Sequence, residues 1–182
     1  MLDIKEPFLF DGAFGTYYAS LYDEDMPCEL ANIQYPSRVL QIHREYCEAG
    51  ANAIKTNTFS ANAQNLDCTK EELENIIHQG YLLAKDIGEE YQVEVFADIG
   101  PMAQQKGMDL FKEYQAIVDI FLSLGANRFL FETFYNDIAL KEICAYIKEK
   151  SPQSYIITSF ALSGDGYTRQ GISGEKLLKI GR

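Results

Sequence analysis

Two spacings of apolar residues alternate along this chain. Short continuous runs end in polar or glycine-bearing residues. Between them, apolar positions recur every three or four residues, the mark of a helix with one buried face. Phe8-Leu9-Phe10 is the first run and ends in Asp11-Gly12. Pro36, in the first-turn position that a helix tolerates best, opens a helix with Val39, Ile42, Tyr46 and Ala49 on one face and Gly50 at its close. Ala53-Ile54-Lys55-Thr56 reads as the second strand and ends in Asn57-Thr58. Thr69 and Glu72 have the spacing of a capping box, ahead of Leu73, Ile76, Ile77, Gly80, Tyr81, Ala84 and Ile87 at helical intervals. Val93 to Ala97 is the third strand, ending in Asp98-Ile99-Gly100-Pro101.

The second half repeats the alternation. Asp109 caps a helix whose apolar face is Phe111, Tyr114, Val118, Phe121 and Leu122, with Gly125 at its end. Arg128 to Phe131 is the fourth strand, ending in Glu132-Thr133. Asn136 or Asp137 is expected to cap a helix through Leu140, Ile143, Cys144 and Ile147. Tyr155 to Thr158 is the fifth strand, ending in Ser159-Phe160, and a last helix begins near Gly174.

Strand followed by helix, five times over, predicts a parallel α/β sheet with helical crossovers. A doubly wound sheet and an interrupted (β/α)8 barrel both satisfy that order. The last helical stretch, Glu175 to Ile180, is barely more than one turn and has no sixth strand to cross to. A full barrel takes about 250 residues. The expected fold is therefore a TIM-type barrel, here incomplete, with about five parallel strand-helix units in a single domain over residues 1–182.

Composition narrows the classes of function. A net charge of -11, from 16 Lys and Arg against 27 Asp and Glu, disfavours nucleic acid and anionic membranes as partners. No apolar stretch reaches the roughly 18 residues that a membrane span needs, and Met1 to Phe10, with Asp3, Lys5 and Glu6, is not a signal peptide. Cys28, Cys47, Cys68 and Cys144 form no C-x-x-C pair, so neither a zinc knuckle nor a thioredoxin-type site is expected. Reduced cysteines of this kind point to the cytoplasm.

Asp11, Asn57, Asp98, Glu132 and Ser159 all fall at the carboxyl ends of strands, the rim where parallel α/β proteins bind ligands. Each could equally cap the following helix. Asp11-Gly12-Ala13-Phe14-Gly15-Thr16 has neither the P-loop nor the dinucleotide spacing, and its leading aspartate would repel a phosphate. Gly12 and Gly15 instead suit a close backbone approach to a small ligand. Asp11 and Glu132 place two carboxylates on the rim, fit for acid-base work or for holding an ammonium group. His43 and His78 fall mid-helix and read as structural.

Six stretches together carry a family likeness: Asp11 to Thr16, Ile42-His43-Arg44-Glu45-Tyr46, Ala49-Gly50-Ala51-Asn52, Thr56-Asn57-Thr58-Phe59, Asp98-Ile99-Gly100-Pro101 and Phe131-Glu132-Thr133-Phe134. In order and in spacing, from residue 8 to about residue 172, the chain resembles the homocysteine S-methyltransferase family. That family includes the N-terminal, homocysteine-binding barrel of cobalamin-dependent methionine synthase. The resemblance implies a methyltransferase of methionine biosynthesis. In enzymes of that family three cysteines hold Zn²⁺, which would supply homocysteine as a thiolate able to attack the methyl group of methylcobalamin, betaine or S-methylmethionine. It further implies that Asp11, the Gly12 backbone and Glu132 hold the amino-acid end of homocysteine, with Asn57, Thr58 and Ser159 lining the pocket.

The likeness stops short of the metal. The family's zinc cysteines lie in an Asn-Cys after the sixth strand and a Gly-Gly-Cys-Cys near the eighth, both beyond Arg182, and Cys28, Cys47, Cys68 and Cys144 do not replace them. The chain thus reads as truncated before the zinc ligands. No metal is expected in it, it is expected to be inactive alone, and cobalamin or methyltetrahydrofolate would bind through other modules. The alternative is a non-catalytic domain derived from that barrel, binding an amino acid or a protein partner. Exposed sheet edges are expected to drive self-association.

Overall fold

The computed structural model describes residues 7–179, and the readings made above for Met1 to Glu6 and Ile180 to Arg182 lie outside them. The chain begins with helix α1 (Phe14–Leu21), a 3-10 turn (Cys28–Leu30) that runs into α2 (Ala31–Gln34), and α3 (Pro36–Glu48). Strand β1 (Ala53–Lys55) follows, then the short α4 (Ala63–Leu66) and the long α5 (Lys70–Tyr91). Next come β2 (Glu94–Ile99), α6 (Leu110–Ser123), β3 (Arg128–Phe134), α7 (Leu140–Lys150), β4 (Tyr155–Phe160) and α8 (Gly174–Leu178).

The strands lie side by side in the order β1-β2-β3-β4, all parallel. Strand order equals chain order, with no reversal. A doubly wound sheet would turn back at a switch point, so this is the arrangement of a barrel wall. Four strands do not close a barrel. Strand β4 has no further partner along its outer edge among the described residues, and its side chains are only half-buried.

The first expected strand is reduced to a single bridge. Phe10 pairs with Ala53 in parallel fashion, with Asn52 N donating to Leu9 O (2.7 Å) and Asp11 N to Ala53 O (2.9 Å). The ladder goes no further because the next donor, Lys55 N, is taken by a side chain, Asp11 Oδ2, at 3.0 Å. Among the described residues the parallel sheet therefore has four strands and the Phe10–Ala53 bridge, where the apolar runs predicted five strands.

Two other expectations change. The stretch after Gly12 is helical, since Phe14 and Tyr18 are one turn apart and both buried. The helix after β3 is not capped by Asn136 or Asp137: Asn136 Oδ1 accepts from Ile138 N (3.2 Å) in a local turn, and α7 begins after Ala139, which has φ 62°. The capping box at α5 forms in both directions, Glu72 N to Thr69 Oγ1 (3.2 Å) and Thr69 N to Glu72 Oε2 (2.8 Å). Asp109 caps α6 through Lys112 N (3.4 Å).

Side chains of a strand alternate between its two faces. Ala97, Ile99, Phe129 and Phe131 pack outward under α5, α6 and α7, together with Ile77, Tyr81, Val118, Phe121 and Ile143. Ala53, Phe96 and Leu130 face the other way, with Phe8, Phe10, Tyr155 and Ile157 against them. One step of two residues further along the same face come Lys55, Asp98, Glu132 and Ser159. An apolar floor thus carries a polar layer at the carboxyl ends of the strands.

Candidate functional site

A cavity of about 610 Å³ opens over that layer, within the range usual for small-molecule sites. Its polar wall includes Lys55, Thr56, Asn57, Thr58, Asp98 and Glu132 from the strand ends. Phe14 and Tyr18 of α1, with Met26, Phe59 and Leu66, supply an apolar wall.

The charged groups are few and close. Lys55 Nζ donates to Glu132 Oε1 at 2.9 Å and stands 3.8 Å from Asp11 Oδ1. Asp11 and Glu132 were expected to face each other across an empty space that a ligand ammonium would fill. The cation between them is the chain's own Lys55. Its side chain is 9% exposed, and that of Asp11 is fully buried. Burial alone would lower the Lys55 ammonium, but the charges of Asp11 and Glu132 outweigh it and hold it above the ordinary lysine range. Asp11 goes the other way. Burial pushes its carboxyl up to about 7, against the Lys55 N–H and the Lys55 charge. Asp98, also buried, is raised well above the carboxylate range by burial first and by the neighbouring Glu132 charge second.

Two buried acceptors in this cluster have no hydrogen-bond partner, Asp11 Oδ1 and Asp98 Oδ1. Buried polar groups are nearly always satisfied, so an orphan pair beside a cavity marks a place for a donor from outside.

Strand alternation already turns Glu132 toward the cluster, and the register of β3 breaks beside it. Phe131 pairs with Thr158 and Phe134 with Phe160, so β3 spends one residue more than β4 between those pairs. Bulges of this kind re-aim side chains next to sites. Thr133 takes up the slack at φ 56°, a conformation rare for a β-branched residue. Ser159 pins it, its Oγ accepting from Thr133 N at 2.8 Å. Ser159 therefore stands behind the bulge and is not among the residues lining the cavity.

Asn57 and Thr58 do line the cavity, with their polar atoms engaged inward. Asn57 Nδ2 donates to Cys28 O (2.7 Å) and Asn32 Oδ1 (2.9 Å), and Asn57 Oδ1 accepts from Cys28 Sγ (3.2 Å). Thr58 Oγ1 donates to Asp98 O (2.7 Å), so the 2.6 Å contact between the two hydroxyls has Thr56 as donor. Asp98 N donates in turn to Thr56 Oγ1 at 2.9 Å. These residues lock the end of β1 to β2 and to the turn before α2. Gly12 is not among the lining residues, and a β-carbon there would lie 2.8 Å from Tyr46 Oη, so the absence of a side chain lets Tyr46 pack against this turn.

Lys55, Asp98, Cys28 and Glu29 also line the wall; of these the sequence marked only Asp98 as a rim residue, as a strand end, and Cys28 was considered only as a metal ligand. The signal for Lys55 was its position in β1, two residues from the inward-facing Ala53. Cys28 is no ready nucleophile, since burial and Glu29 push its thiol far up. Among the described residues no three His, Cys, Asp or Glu side chains are placed to hold a metal ion. Asp11, Asp98 and Glu132 gather around an ammonium instead. The zinc that the family likeness implies is not provided for by these residues.

A family model described as homocysteine S-methyltransferase matches residues 8–180. The methionine synthases of Mycobacterium leprae and Mycobacterium tuberculosis are 29% and 30% identical over 152 residues, 72% of this chain. That stretch is 12% and 13% of those proteins, so the chain spans about an eighth of their length. Among solved structures, the homocysteine methyltransferase MmuM from Escherichia coli superposes in its apo form with a TM-score of 0.78 at 20% identity, over 99% of this chain and 69% of that one. Its metallated form gives 0.80 at 16%, over 97% and 70%. At that identity the likeness concerns the fold, and it is the fold of the barrel wall described above.

Proposed function

Since the chain belongs to the homocysteine S-methyltransferase family, we propose that its cavity binds homocysteine for methylation to methionine. The observation that carries this reading is the pair of orphaned buried carboxyl oxygens, Asp98 Oδ1 beside Glu132 at the cavity wall and Asp11 Oδ1, which is not among the lining residues but lies 3.8 Å from the lining Lys55 Nζ. An α-ammonium group supplies donors to such acceptors, and charge-assisted hydrogen bonds contribute about 1.5–3 kcal/mol each. The side chain of homocysteine then extends toward Phe14, Met26 and Leu66, where a methylene chain and a thiol are well received.

The attacking atom in such a transfer is sulfur, as thiolate. The described residues offer no metal-ligand group for it, so this chain's part is to bind and orient the amino-acid end. Asp11 and Glu132 act on the ammonium. Asn57 and Thr58 fix the wall, and Ser159 holds the bulge beside Glu132. Self-association through the sheet edge remains part of the proposal, supported by the unpartnered edge of β4.

The test is titration calorimetry of L-homocysteine into the chain and into its Glu132→Gln variant. Binding by the parent, weakened roughly ten- to hundredfold in the variant with a near-parental melting temperature, is the expected result. Absence of binding by the parent would overturn the reading. An unchanged dissociation constant with a lowered melting temperature would leave Glu132 a structural residue only.

A further inference from the structure

The cavity has carboxyl groups in excess and a single cation. Among its lining residues only Lys55 carries a positive charge, against Asp98, Glu132, Glu24 and Glu29. Glu24 is already spoken for by Arg38, at 2.7 Å. Lys55 Nζ makes one hydrogen bond, to Glu132 Oε1, and Asp11 Oδ1 at 3.8 Å lies beyond bonding distance. An ammonium has three donors. Two of them have no acceptor among the described residues, next to two carboxyl oxygens that have no donor.

The unsatisfied donors of Lys55 and the unsatisfied Asp98 Oδ1 lie at the wall of one cavity, and Asp11 Oδ1 stands 3.8 Å behind Lys55 Nζ, outside the lining. A ligand that satisfies both brings an anionic and a cationic group close together. A bare amine leaves the lysine donors idle, and a bare acid leaves the carboxyl acceptors idle. A zwitterion also adds no net charge to a buried cluster, which matters where desolvation already forces Asp11 up to about 7.

We propose that Lys55 recognises the α-carboxylate of the amino-acid ligand, and so makes the cavity select amino acids over simple amines. This rests on the homocysteine reading above and goes beyond it in assigning the carboxylate a partner. Lys55 keeps its contact with Glu132 while its remaining donors turn to the ligand carboxylate. The α-ammonium, one carbon away, falls to Asp98, Asp11 and the Glu132 oxygen that Lys55 does not use. Lys55 thereby bridges the two charged ends of the subsite.

The experiment compares three thiols by titration calorimetry: L-homocysteine, 3-aminopropanethiol, which lacks the carboxylate, and 4-sulfanylbutanoate, which lacks the ammonium. Each is measured on the parent chain and on Lys55→Met, with Lys55→Gln as a second variant should the first fail to fold by circular dichroism. A charge-assisted bond predicts that the parent prefers homocysteine to 3-aminopropanethiol by about tenfold or more. In the lysine variants that preference should fall to about twofold or less, with 3-aminopropanethiol bound no more weakly than before. A parent that binds the two equally overturns the proposal without any variant. So does a preference that survives the loss of Lys55, as when both ligands tighten together because Lys55 had only been neutralising the carboxyl groups. If no thiol binds the parent at all, it is the homocysteine reading itself that fails.

Discussion

Gly80 and Asn32 touch so closely that a β-carbon on Gly80 would lie 2.5 Å from Asn32 Nδ2 and 2.9 Å from Thr58 Cγ2. The bare backbone of α5 at this point lets the Asn32 amide slide between α5 and the end of β1. There it donates to Asn57 O (2.8 Å) and Ile76 O (3.2 Å). One glycine on a helix facing away from the cavity thus sets the position of the wall that Asn57 and Thr58 provide.

Gly80→Ala is the direct test of that contact. In an open helix the change would stabilise by about 1 kcal/mol. Here overpacking against a buried amide costs about 1–3 kcal/mol, so the sign is expected to reverse, for a net loss of up to about 2 kcal/mol. Urea unfolding measures it. A gain in stability would show that Asn32 moves aside freely.

The ends of the strands were legible in the sequence because each apolar run stops at a polar residue, and Asp11, Asp98 and Glu132 stand at such stops. The capping box at Thr69 and Glu72 was legible because both halves lie within four residues. Lys55 was not, since Ala53-Ile54-Lys55-Thr56 reads as a strand whichever face Lys55 takes. That choice is made by long-range pairing, Ile54 with Val95 and Lys55 with Phe96. The bulge at Thr133 was illegible for a similar reason. Nothing in Glu132-Thr133 by itself says that β4 advances one residue less. Asn57 was placed correctly on the rim, yet its partners, Cys28 and Asn32, come from a turn and a short helix whose spacing left no periodic mark.

Ser159→Ala removes the only hydroxyl that accepts from Thr133 N. A lost hydrogen bond at a strained residue should cost about 1 kcal/mol. If the bulge aims Glu132, homocysteine affinity should fall a few-fold as well, although Ser159 does not line the cavity. Calorimetry and unfolding on the same variant read both. A stability loss with unchanged affinity would confine Ser159 to the sheet.

His43 is fully buried against Phe14, with neither ring nitrogen bonded, and burial lowers its pKa from 6.5 to about 3. The folded protein keeps it neutral, whereas the unfolded chain takes up a proton below about pH 6.5. Stability is therefore lost as the pH falls from about 6.5 toward 3. Between pH 7 and pH 5 this group alone should remove about 2 kcal/mol. His43→Leu keeps an apolar side chain in place and has no proton to gain, so the variant should lose that much less than the parent over the same interval. Equal losses would mean that His43 finds a partner on protonation.

Asp11 carries the opposite dependence. Its folded pKa of about 7 lies above the ordinary 3.8, so between those values the folded state holds a proton that the unfolded chain has released. Folding stability must fall as the pH rises through that window and level off above about 7. From pH 5 to pH 8 the group should remove about 2–3 kcal/mol. Lys55 titrates far above this range and leaves the difference undisturbed. Asp11→Asn keeps an oxygen for the Lys55 N–H and has no charge to gain, so the parent should lose about 2–3 kcal/mol more than the variant across the interval. Ligand binding should move the other way. An ionised Asp11 beside a ligand ammonium is satisfied, so homocysteine affinity should rise as the pH passes 7 in the parent and stay flat in Asp11→Asn. Unfolding and calorimetry at pH 5, 6, 7 and 8 test both arms. If the stability difference is flat, Lys55 already keeps Asp11 ionised. If stability follows the expected slope while affinity does not, the ammonium rests on Asp98 and Glu132 alone.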